Sequence, residues 1–245
     1  MAPWIRVLLI GGINFAAAFV QASCGFGYAI VAMSLMPLLL PMRQCSAVSA
    51  ATVVVIAVQM CLSLRKHLRL GLVWLPVLSC MATVPLGIWC LLTFPERALR
   101  RILAGLLLLL TIFFFGARRR QVSIRGTWYN GMAAGLVTGV STGMFNIVGP
   151  FFMVYYLSVC DRLLTYKASM EFSFLIAGLY SAVIHITKGS FQLEVLPYCL
   201  ASGVGACLAG WLGLKVFRRI DREKLTVVVY ILLPLLALTL LLGSR

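Results

Sequence analysis

The side chains of this sequence that can do chemistry gather around two interruptions of long apolar stretches. The first is Cys24-Gly25-Phe26-Gly27, inside a stretch without charge over residues 7–42. The second is Gly143-Met144-Phe145-Asn146-Ile147-Val148-Gly149-Pro150, inside an uncharged stretch over residues 126–160. Glycine and proline there release backbone N–H and C=O groups from the helical ladder. A half-helix that follows such a break presents unpaired N–H groups and the positive end of its dipole, which together favour an anion. At the first break Gly25 and Gly27 allow a ligand close to the backbone, while Gln21, Ser23 and Tyr28 supply side-chain donors. Phe26 lies in the same turn, as a core aromatic or a stacking surface. At the second break Ser141, Thr142 and Asn146 precede Gly149 and Pro150, and a proline suits the first turn of a new helix. These are the expected substrate-binding residues.

Glu171 is the one acidic residue well inside an otherwise apolar segment, residues 164–187. A carboxylate is expensive in hydrocarbon, so an intramembrane one suggests an ion-coupling role in which it exchanges a proton. The alternative is an ion pair at the membrane interface with Lys167, four residues earlier on the same helix. His185 and Lys188 read as the loop edge of that segment. Gly131, Gly135, Gly139 and Gly143 recur every four residues, the spacing of close helix packing in membranes.

The elements that position these residues follow from composition. The chain has 245 residues and 62% apolar content, well above the roughly 45–50% of soluble folds. Charge is also absent from residues 71–94, 102–117, 195–214 and 225–244. A crossing helix needs about 20 apolar residues to span about 30 Å of hydrocarbon, and most of these runs reach that length. The net charge of +15 is concentrated in short basic clusters between apolar runs. They read as topology signals rather than a nucleic-acid surface. Eight cysteines form no Cys-x-x-Cys pair and only two histidines occur, so neither a disulfide framework nor a metal site is expected. No nucleotide-binding motif is present and no cofactor is expected, so a proton or sodium gradient is the expected energy source unless export is facilitated diffusion. The apolar N-terminal run continues to Met42, so it reads as part of the fold and not as a signal peptide.

Placing Gly27 on Gly149 superimposes two halves at a spacing of 122 residues, a shift that also sets Lys66 on Lys188. The halves are an N-terminal transmembrane repeat, residues 1–120, and a C-terminal one, residues 121–245. Each opens with an uncharged stretch of 36 or 35 residues, too long for one crossing and too short for two. The expected fold is therefore all-α and polytopic, each repeat being a broken or re-entrant helical hairpin plus three transmembrane helices. With hairpins, the 21 Lys and Arg divide 14 against 7, which places the loops at residues 65–69, 118–125, 161–167 and 215–224 in the cytoplasm and both termini outside. Three crossings per half make the repeats inverted, with the two hairpin turns facing each other near the midplane.

The whole chain resembles the sulfite exporter TauE/SafE family. The likeness rests on Phe19-Val20-Gln21 followed by Gly25-Phe26-Gly27 and an apolar run to Pro37. It rests equally on Gly135, Gly139, Gly143 and Gly149-Pro150 in a two-part chain. Two features depart from the family pattern: Ser34 stands ahead of a displaced Pro37, and Asn146-Ile147-Val148 replaces a glycine-richer second turn. The resemblance implies a secondary transporter, an exporter of sulfite, sulfonates or related organic anions, in a prokaryotic cytoplasmic membrane. Its partners would be a small anion and the lipid bilayer, with a homodimer among the assemblies it admits. An intramembrane enzyme would need paired acid–base or metal-binding residues, and a structural subunit would have no use for polar, glycine-broken centres.

Overall fold

The computed structural model describes residues 2–120, 127–191 and 193–217, and their regular structure is entirely helical. Among the described residues, five stretches are long and apolar enough to cross a bilayer: Pro3–Cys24 (α1), Met42–His67, Leu70–Thr93 (α4), Leu163–Thr187 (α8) and Leu193–Phe217. The second contains helix α3, Met42–Leu64, and the last contains α9, Leu196–Phe217. Two short apolar helices follow the breaks, α2 over Tyr28–Leu35 and α7 over Gly149–Val159. Helices α5, Glu96–Arg120, and α6, Trp128–Phe145, complete the described set. The last expected crossing, residues 225–244, lies outside the described residues, as do residues 121–125 and 218–224 of two basic loops.

Polarity is distributed as lipid requires. Trp74, Trp89 and Trp211 are exposed, while Asn14, Gln21, Lys167, Glu171 and His185 are buried. A chain that turns tryptophans outward and amides, a carboxylate and an ammonium inward has hydrocarbon as its solvent. The protein is a multi-pass membrane protein.

Each overlong stretch is a hairpin with one long and one short limb. α1 has 22 residues and α2 only 8. Asn14, well down α1, meets both the Tyr28 hydroxyl and, at 3.3 Å, the Met36 sulfur, so the chain after the break folds back along α1. α7 likewise returns along α6, bringing the Tyr155 hydroxyl beside Gly131. At the foot of the first hairpin, Glu96 accepts from the Met42 amide at 3.1 Å, an acid at the start of α3. Its neighbour Arg100 donates to the Pro37 carbonyl at 2.8 Å, tying α5 to the same corner.

The longer helices pair across the two halves: α1 lies along α9, α6 along α4, and α3 against α8. The four-residue glycine series of α6 is a packing face, as its spacing predicts. A Cβ on Gly143 would stand 2.7 Å from the Ile88 amide nitrogen and 2.8 Å from the Gly87 Cα. Only glycine lets the backbones of α6 and α4 approach so closely.

The helix starts after the two breaks recur at a spacing of 121 residues, α2 at Tyr28 and α7 at Gly149, α3 at Met42 and α8 at Leu163. Two expectations need correction. The loop at residues 161–167 is shorter than expected, because α8 begins at Leu163 and Lys167 lies inside it, fully buried. His185 is not at a loop edge but buried in the last turn of α8, whereas Lys188 beyond it is exposed.

Candidate substrate site

Each break is held by residues that tolerate a left-handed backbone. Gly25, at φ 88, closes α1 by donating its N–H to the Gln21 carbonyl at 2.7 Å, and Gly27, at φ 110, starts α2. Asn146, at φ 55, closes α6 in the same way, donating its N–H to Thr142 at 2.8 Å. A left-handed residue just past a helix end satisfies orphan carbonyls, and Asn is the usual substitute for Gly there. Pro150 falls in the first turn of α7, where its missing N–H costs no helical bond.

The two breaks touch. A Cβ on Gly149 would stand 2.7 Å from the Cβ of Phe26, so the second turn packs on the first. Between them lies a cavity of about 10 Å³, lined from the first break by Gln21, Gly27 and Tyr28 and from the second by Asn146, Gly149 and Pro150. That is about the room one water needs. Val53 of α3 and Phe174 of α8 also line it. Each is close to the middle of its helix, which puts the cavity halfway along two crossing-length elements. The first residues of both α2 and α7 face it, so two helix N-termini converge on one space.

A polar group flanks each break. At the first, Gln21 donates from its side-chain amide to Glu171 at 3.1 Å. Lys167 pairs with the same carboxylate at 3.5 Å and donates to the carbonyls of Ala22 at 2.7 Å and Gln21 at 3.2 Å. Both members of this i, i+4 pair are fully buried within the protein. At the second break, Asn146 donates to the Ser46 carbonyl at 2.8 Å and hydroxyl at 3.0 Å and accepts from Ser181 at 3.2 Å. Ser46 in turn meets His185 at 3.2 Å. Glu171 and His185 thus attach to different breaks.

Of the residues expected at the site, Gln21, Gly27, Tyr28, Asn146, Gly149 and Pro150 line the cavity. Phe26 acts by packing on Gly149, and Gly25 faces the Tyr166 ring. Three expected donors are engaged with backbone instead. Ser23 donates to Phe19 at 2.7 Å and Thr142 to Thr138 at 2.7 Å, each within its own helix. Ser141 donates to the Ile147 carbonyl at 2.7 Å and so caps a group freed by the break. The Tyr28 hydroxyl is turned to Asn14. Sequence reasoning missed Asn14, Ser46, Ser181, Val53 and Phe174, and it placed Lys167 and His185 elsewhere. Ser46 and Lys167 each reach across to the break in the other half of the sequence, contacts that no local pattern signals.

The model of the family described as sulfite exporter TauE/SafE matches residues 10–240. The chain belongs to that family. The match takes in both breaks, the cavity between them and both flanking polar groups, so the TauE/SafE region spans nearly the whole chain. Comparison of this TauE/SafE protein with curated proteins and with solved structures gives no match. Family membership and the lipid-facing helices make the protein a transmembrane transporter of the TauE/SafE type.

Proposed function

We propose that the protein is a secondary transporter that exports a small anion, such as sulfite, a sulfonate or a related organic anion, by alternating access at the cavity between the two breaks. The observation that carries this reading is the convergence of the N-termini of α2 and α7 on one small space near the middle of α3 and α8. Two helix N-termini supply backbone donors and positive dipole ends without a free cation, a site suited to an anion that must also leave.

The cavity holds about one water, so an anion enters when the walls separate. The pairing of helices supports a duplicated, inverted architecture in which that separation is a rocking motion. Exchanging α1 with α6, α3 with α8 and α4 with α9 turns the α1–α9 contact into the α6–α4 contact and leaves α3–α8 in place. Glu171 is the proton-exchanging group of this reading: it is buried, bonded to the cavity residue Gln21, and joined to the end of α1 through Lys167. A prokaryotic cytoplasmic membrane is the setting it implies.

The test is flux in proteoliposomes loaded with labelled sulfite, methanesulfonate or a short carboxylate. Export of a sulfur oxyanion, accelerated by a proton gradient, supports the proposal; no flux of any of them removes it.

A further inference from the structure

Lys167 is unusual for where its ammonium goes. It is fully buried; its ammonium donates to the Ala22 carbonyl at 2.7 Å and the Gln21 carbonyl at 3.2 Å, and forms an ion pair with the Glu171 carboxylate at 3.5 Å. The ring of Phe217 covers it at 4.3 Å. Both carbonyls belong to the last turn of α1, where the chain breaks, and so form the negative end of a half-helix. Carbonyls at the end of a broken membrane helix, together with a carboxylate, are the oxygen set that secondary transporters use to hold a sodium ion. Here three such oxygens surround one nitrogen, and the positive charge among them is supplied by the chain.

We propose that the Lys167 ammonium is the tethered occupant of an alkali-cation site at the first break, built from the carbonyl oxygens of Gln21 and Ala22 and the carboxylate of Glu171. Because the lysine never leaves, the wild-type protein needs no sodium at this break. The conformation of the α1 terminus is held by an internal charge, and only the protonation of its partner remains to vary. Shortening Lys167 to alanine leaves the oxygens in place around a vacated, negatively charged space, which a free sodium ion can enter. The inference rests on the transporter reading only for its meaning in coupling, since occupancy of the site is a binding property of the purified protein.

The test is thermal unfolding of detergent-purified protein in sodium chloride against choline chloride at equal ionic strength. Wild-type protein is expected to unfold at the same temperature in both. Lys167→Ala is expected to be destabilised in choline and to regain several degrees in sodium, in a saturable, concentration-dependent way. Lys167→Met, which refills the space with an apolar chain, and the double variant Lys167→Ala/Glu171→Gln, which lacks the carboxylate, are expected to show no sodium response. The inference is overturned if sodium fails to recover Lys167→Ala, including a variant that cannot be isolated in either salt. It is equally overturned if wild-type protein shows a sodium-dependent stabilisation that Glu171→Gln abolishes. Flux measurements do not enter, so a failure of the transport reading is seen separately, as absent sulfite movement with the sodium response intact.

Discussion

The side chain of Phe26, in the first break, fills the space that a side chain on Gly149, in the second, would occupy, with the two β positions 2.7 Å apart. Two chain interruptions over 120 residues apart in sequence are thus in van der Waals contact, and the cavity they share inherits its shape from that contact.

Gly149→Val should therefore wedge the breaks apart. Overpacking of a filled interior costs about 1–3 kcal/mol, so the protein should remain folded with a lowered unfolding temperature. Transport should fall at least tenfold, because the displaced walls are those of the cavity. Unfolding curves alongside proteoliposome flux check both halves of this expectation.

Gly25→Ala and Gly27→Ala force a side chain into the left-handed region, at a cost of about 1–2 kcal/mol each. At Gly27 the added carbon also stands 3.1 Å from the Val20 side chain, so its loss should be the larger. Gly12→Ala, within α1 and with nothing near its β position, should be neutral or slightly stabilising. An unfolding series over the three variants tests the ranking.

Removing one member of the Lys167–Glu171 pair leaves the other charge buried and unmatched. The expected loss is about 3–5 kcal/mol for Glu171→Leu alone, and less for the double variant Lys167→Met/Glu171→Leu, which replaces the pair by apolar groups. The double variant should fold yet lose acceleration of transport by a proton gradient. A double-variant loss equal to the sum of the losses in Lys167→Met and Glu171→Leu would show that the pair is not coupled.

Asn146→Ala removes the bonds to Ser46 and Ser181 and places a residue that avoids φ 55 at the end of α6. Asn146→Gly keeps the backbone freedom and loses only the bonds. The alanine variant should be the less stable by about 1 kcal/mol, and both should show reduced anion binding. The difference between their unfolding temperatures measures the backbone part.

Much of this arrangement could be read before any coordinates. The breaks were legible because Gly25, Gly27, Gly149 and Pro150 punctuate stretches that have no other reason to stop, and the α6 glycines because four-residue spacing marks a packing face. Matching Gly27 to Gly149 follows residue type, whereas the left-handed residues that end α1 and α6 are Gly25 and Asn146, because asparagine enters that conformation more readily than most residues with a side chain. Lys167 was assigned to a loop because a lone lysine near the end of an apolar run is normally solvated. Its burial depends on the carbonyls of Gln21 and Ala22, partners about 145 residues away that local pattern cannot reveal. Asn14 and His185 are hidden in the same way, each meeting a group on another element or beyond a turn.

Equilibrium binding of a radiolabelled sulfur oxyanion to purified protein tests most directly whether the two breaks form one anion site. The expected result is one anion bound per chain, with binding abolished by Gly27→Val and equally by Gly149→Val while both variants still unfold cooperatively. Two independent sites, or full binding retained after a folded variant has altered either break, would contradict it.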